Sequence, residues 1–131
     1  MPDGCHIELV ETRANRAIAG GSAAAQHLQE LPHAVYRLPA DGGPLQRVID
    51  DVKGPNGLAF SPDESLLYIV DTGATHRADG PHHVRRFRVG TNGTLAGGEV
   101  FATCPAGLYD GLRVDVHGNL WLSAGDGVHC H

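Results

Sequence analysis

One short pattern occurs twice in this chain and limits what it can fold into more than any other feature. Residues 54–64 read Gly-Pro-Asn-Gly-Leu-Ala-Phe-Ser-Pro-Asp-Glu and run into the apolar segment 66–70. Residues 109–119 read Tyr-Asp-Gly-Leu-Arg-Val-Asp-Val-His-Gly-Asn and run into Leu120, Trp121, Leu122 and Ser123. Each copy is an oxygen-bearing side chain (Asn56, then Asp110), a Gly-Leu pair, a short alternating run, a turn and a second apolar run. Repeats that stack on one another bring equivalent positions together. Two such donors therefore point to a shared metal or substrate site.

The segments around the motif read as strands and turns. Residues 34–38 alternate as a strand, Asp41-Gly42-Gly43 marks a hairpin, and residues 45–49 form its partner. Residues 58–60 and 66–70 pair through Ser61-Pro62-Asp63-Glu64, where Pro62 has its torsion already set for the turn. Residues 84–89 and 100–102 pair across Gly90-Thr91-Asn92-Gly93, and residues 112–114 and 120–123 pair across Val116-His117-Gly118-Asn119. Short strands at even spacing predict an all-β fold. Residues 1–30 are different: 13–27 is alanine-rich with Gly20-Gly21 inside it, which predicts a weakly structured leader or a weak helix, with the β domain over 31–131.

The two copies lie 54 positions apart at their donors, Asn56 to Asp110, and 53 apart from Tyr68 to Trp121. A repeat of this length with about four strands per unit is the range of propeller blades. The β region has room for about two blades, and a propeller closes with at least four. The expectation is a piece of a larger propeller, with blade edges open to self-association.

Several function classes are disfavoured. The net charge of the 131-residue chain is −5 with histidines neutral, and no basic stripe is present, so nucleic acid is not an expected partner. The densest cationic stretch, residues 82–88, alternates like a strand with a solvated edge, and His82 and His83 at its start are expected in an exposed loop. Cys5, Cys104 and Cys130 show no Cys-x-x-Cys spacing and read as reduced thiols. No apolar run reaches the length of a membrane span, and residues 1–11 lack the pattern of a signal peptide. These features together predict a cytoplasmic protein with no membrane partner.

With these residues in view, the chain resembles the gluconolactonase family, the senescence-marker and regucalcin-like group of six-bladed β-propellers. The resemblance runs from about residue 30 to 131. It rests on His33-Ala34-Val35-Tyr36-Arg37 with Asp41-Gly42-Gly43, on 54–63 with Asp71-Thr72, and on 110–115 with Gly118-Asn119-Leu120-Trp121 and 125–128. It implies metal-dependent hydrolysis of sugar lactones or related esters, with a small-molecule lactone as partner. It also implies Asn56 and Asp110 as metal ligands, Asp110 as the catalytic base, and one divalent cation. Ca²⁺ is the first choice, because oxygen donors suit a hard cation, while Zn²⁺, Mn²⁺ and Mg²⁺ are poorly discriminated against. The family's first-blade ligand glutamate has no counterpart here; Glu8 and Glu11 lack its context.

Simpler roles stand beside these. Asn56 and Asp110 each precede glycine and are good turn residues on their own, and Gly57 and Gly111 are read as letting the chain turn sharply into the strand. Asp71 and Thr72 are candidate substrate-binding residues, with a strand-end cap as the equal alternative. Asp63, Asp115 and Asp126 read as turn residues, and Trp121 as core. Three adjacent residues, His129, Cys130 and His131, cannot all reach one ion from a strand. The functional alternatives are a non-catalytic metal- or ligand-binding propeller and an inactive truncated gene product.

Overall fold

The computed structural model describes residues 6–8 and 32–131. Among them the chain is all-β, with ten strands: β1 His6–Glu8, β2 Val35–Leu38, β3 Gln46–Ile49, β4 Pro55–Phe60, β5 Leu66–Asp71, β6 His83–Val89, β7 Leu95–Thr103, β8 Leu112–Val114, β9 Leu120–Ala124 and β10 Gly127–Cys130. They form a three-stranded sheet β1-β2-β3, a four-stranded sheet β4-β5-β6-β7, and a three-stranded sheet in the order β10-β9-β8. Every pairing is antiparallel. The four-stranded sheet has the strand count expected of a whole blade, the three-stranded sheets flank it in chain order as partial ones, and the three do not close on one another among the described residues. The expected leader lies outside the described residues apart from β1, which pairs with β2.

The core explains why β5 is apolar from Leu66 to Val70. In a strand, successive side chains point to opposite faces. Leu67 and Ile69, both 0% exposed, join Val35, Ile49, Val52 and Phe87 between the first and second sheets. Tyr68 and Val70 face the other way and join Val84, Tyr109, Leu112, Leu120 and Leu122 between the second and third. The central sheet is covered on both faces, so β5 loses the polar half of its alternation. Burying each of its large aliphatic side chains contributes about 1.5–3 kcal/mol. Leu58 and Phe60 pack on the first cluster while Leu112 and Val114 belong to the second, so the equivalent residues of each copy face the preceding blade.

Three expectations need correction. The arginine-rich stretch is an interior strand: β6 is hydrogen-bonded to β5 on one side and β7 on the other. Its charges are matched locally, Arg85 to Asp51 at 2.8 Å and Arg86 to Glu99 at 2.9 Å, and Arg85 also lies 5.0 Å over the Phe87 ring. His82 and His83 are half-buried, not in an exposed loop; His82 Nδ1 is 2.9 Å from the Cys104 carbonyl and His83 opens β6. Trp121 is 44% exposed, because Leu120 and Leu122 take the buried face of β9 and alternation sends Trp121 to the other. Its indole N–H donates to Asp115 at 3.0 Å.

Cys104 is buried and Cys130 exposed, both free thiols; Cys5 lies outside the described residues. No helix among the described residues is long and apolar enough to cross a membrane.

Candidate functional site

The first strands of two neighbouring blades, β4 and β8, pass close to each other beside Gly57. A Cβ built on Gly57 would stand 3.4 Å from the Asp110 carbonyl oxygen and 3.6 Å from Leu112 Cβ. Neither Gly57 nor Gly111 has a positive φ, so neither supplies the sharp left-handed turn expected of it. A Cβ at Gly57 would sit at ordinary contact distance from its neighbours, so close approach does not demand glycine there either.

Asn56 sits within a strand, at an irregularity. Pro55 pairs with Asp71 and Gly57 with Val70, so Asn56 is an extra residue against one peptide of β5. This is a β-bulge, a device that re-aims a side chain without ending the strand. Its amide Nδ2 lies 3.4 Å from Asp110 Oδ1, a long hydrogen bond at an exposed edge. The two motif donors, 54 residues apart in the chain, thus meet.

Both donors are held by backbone contacts that the motif alone did not reveal. The Asp110 amide donates to the Ser123 carbonyl at 3.0 Å, the Ser123 amide to the Gly111 carbonyl at 3.1 Å, and the Gly111 amide to Ser123 Oγ at 2.7 Å. On the first copy, Asp71 has the corresponding duty. Its carboxylate is 2% exposed. One oxygen accepts the Gly54 amide at 2.8 Å and the Gly73 amide at 3.1 Å, and the other accepts the Lys53 amide at 3.0 Å. Thr72 adds its own amide and hydroxyl, both donating to the Gly54 carbonyl at 2.8 and 3.2 Å. The polar residue at or next to the end of the second strand of each copy, Asp71 and Ser123, was the available sequence signal.

The remaining carboxylates serve turns. Asp63 Oδ1 accepts the Ser61 hydroxyl at 2.7 Å, the Ser65 hydroxyl at 2.7 Å and the Ser65 amide at 3.1 Å. These donors bring its pKa down to about 2. Asp115 accepts Trp121 Nε1, the Asn119 amide side chain and the backbone amides of Asn119 and His117, which together hold it far below the usual carboxylate range. Burial lowers the pKa of His83, which faces Asp71 across the ladder. His129 and His131 share one face and approach the Tyr109 hydroxyl at 3.4 and 3.1 Å, while His129 Nε2 lies 2.7 Å from Asp126. No group of three His, Cys, Asp or Glu side chains among the described residues is arranged to hold a metal.

Residues 9–130 match the family described as SMP-30/Gluconolactonase/LRE-like region. A gluconolactonase of Zymomonas mobilis is 34% identical over 100 residues, which cover 74% of this chain and 28% of the relative. Among solved structures, a gluconolactonase from Xanthomonas campestris is 46% identical with a TM-score of 0.65, covering 77% of this chain and 32% of the other. A calcium-binding protein, regucalcin, from Agrobacterium tumefaciens is 26% identical with a TM-score of 0.53, covering 70% and 29%. The chain therefore spans about three-tenths of the length of these relatives.

Proposed function

Because the chain belongs to the SMP-30/gluconolactonase/LRE-like family, we propose that it carries part of a lactone-hydrolysing site, built on Asn56 and Asp110. The observation that supports this reading is the meeting of the two side chains at 3.4 Å. Rotating the Asn56 amide about its terminal torsion replaces its NH₂ with its carbonyl oxygen at the same edge. The pair then offers one neutral and one charged oxygen, a donor set suited to a hard divalent cation and a fraction of the 6–8 oxygens Ca²⁺ takes. A cation held there would polarise the ester carbonyl and stabilise developing negative charge.

The chain's own groups have separable tasks in this proposal. The Asp110 carboxylate accepts a proton from the attacking water as its oxygen bonds to the lactone carbonyl carbon. The same proton passes to the ring oxygen as the acyl C–O bond breaks, giving a hydroxy acid. Asn56 orients the ester from the bulge. Asp71 and Thr72, with their polar atoms taken up by the backbone at residues 53, 54 and 73, position the Asn56 strand. Hydrolysis of glucono-1,5-lactone, followed by acid release, tests the reading. Activity that falls on EDTA treatment and in Asp110→Asn is the expected result. Turnover that ignores both treatments rules the mechanism out.

A second reading is favoured by the calcium-binding neighbour: a propeller unit that binds a cation without hydrolysis. Calorimetry showing a Ca²⁺ site that needs Asp110, with no lactone turnover at any cation concentration, would select it.

A further inference from the structure

The loop between β5 and β6 walls a cavity of about 360 Å³ that the Asn56–Asp110 pair does not use. Its lining includes Lys53, Gly73, His76, Arg77, Asp79 and Pro81. The cavity lies at the pair's end of the blade, because β5 ends at Asp71 opposite Pro55, where β4 begins. Lys53 precedes Asn56 by three residues, which an extended chain spans in about 10 Å. The buried Asp71 carboxylate binds the Lys53 and Gly73 amides of the cavity wall and the Gly54 amide leading to Asn56. Cavity and donor pair are therefore fixed to one another through a single side chain.

The loop is built tightly. The Ala74 amide donates to Pro81 O at 2.9 Å, Gly80 to Arg77 O at 2.8 Å, His76 to Gly73 O at 3.0 Å, and the Thr75 hydroxyl to Thr72 O at 2.7 Å. A Cβ at Gly73 would stand 2.6 Å from Lys53 Cβ, so Lys53 is pressed against the loop. Among the lining side chains Lys53 and Arg77 are cationic and Asp79 anionic, with the Asp71 carboxylate behind the wall. Arg77 is paired with Asp79 through Nε at 3.1 Å and Nη2 at 3.2 Å, which leaves Nη1 without a hydrogen-bond partner among the described residues. The Lys53 ammonium makes no hydrogen bond or ion pair among them; of the acids around it, Asp51 is held by Arg85 at 2.8 Å and Asp79 by Arg77 at 3.1 Å. His76 adds a ring that stands 5.6 Å from that of His33.

We propose that this cavity is a subsite for the terminal anionic group, phosphate or carboxylate, of a sugar-acid lactone whose ester lies at Asn56 and Asp110, and of its open-chain product, whose new carboxyl lies there. Lys53, Arg77 Nη1 and the His76 ring supply the donors. The placement of the ester end rests on the lactonase reading; the anion site does not.

Calorimetric titration of the chain with gluconate, glucarate and 6-phosphogluconate, each in Ca²⁺ buffer and in EDTA, tests it. The expected result is at least tenfold tighter binding of 6-phosphogluconate or glucarate than of gluconate, and which one gains identifies the anion. Lys53→Met and Arg77→Gln, both at exposed positions, should each bring that ligand back towards the gluconate affinity. Equal affinity for all three ligands, or a gain that survives both substitutions, overturns the subsite. Preference for a terminal anion without lactone turnover would overturn the lactonase reading alone, whereas turnover without that preference would overturn the subsite alone.

Discussion

The buried carboxylate of Asp71 accepts the backbone amide of Gly54 at 2.8 Å across the start of the strand that carries Asn56. The same group takes the amides of Lys53 and Gly73, so two loops and a strand end converge on one side chain. Removing it leaves amides at a buried edge without acceptors, at about 1–3 kcal/mol each. Asp71→Ala should destabilise the protein by about 3–5 kcal/mol in urea denaturation, with Asp71→Asn intermediate because one oxygen remains. A loss under 1 kcal/mol for the alanine variant would mean that the latch is not holding the loops.

Asn56 and Asp110 are expected to act as one cation site. Asn56→Ala and Asp110→Asn should each weaken Ca²⁺ binding at least tenfold, and the double variant should lose less than the product of the two. Strict multiplicativity in titration calorimetry would show that they do not touch one ion. Both residues lie outside the core, so stability without the cation should change by no more than about 0.5 kcal/mol.

Asp63 makes a prediction about acid. Its folded pKa, about 2, lies below its ordinary value of 3.8. A depressed carboxylate stabilises the fold fully above the ordinary value and loses that contribution as pH falls through the folded one. The melting-temperature gap between wild type and Asp63→Ala should therefore be constant above about pH 5 and close towards pH 2. A gap of the same size at pH 2 and pH 6 would place the effect elsewhere than in this charge.

Adjacent residues of β9 should respond in opposite ways. Leu122, 0% exposed, fills the cluster between the second and third sheets, and Leu122→Ala should cost about 2–5 kcal/mol. Trp121→Ala should cost about 1 kcal/mol or less, despite removing the larger side chain, because Trp121 is 44% exposed. Chemical denaturation of both variants reads the difference, and equal losses would contradict the assigned faces.

The sequence by itself determined most of the strands, their turns and the matching positions of Asn56 and Asp110, because alternation, turn chemistry and repeat spacing are local properties; β1, β10 and the first half of β7 were not legible in it. It also carried the all-β blade architecture and the family. Alternation names two faces of a strand without saying which is covered, so the outward Trp121 and the interior, charge-matched β6 emerged only from packing. The bulge at Asn56 depends on pairing with β5, which no short window contains. Asp71 has its amide partners 18 and 17 residues upstream and 2 downstream. Only the tertiary structure brings them to it, because a buried carboxylate takes whichever donors the folded chain leaves within reach.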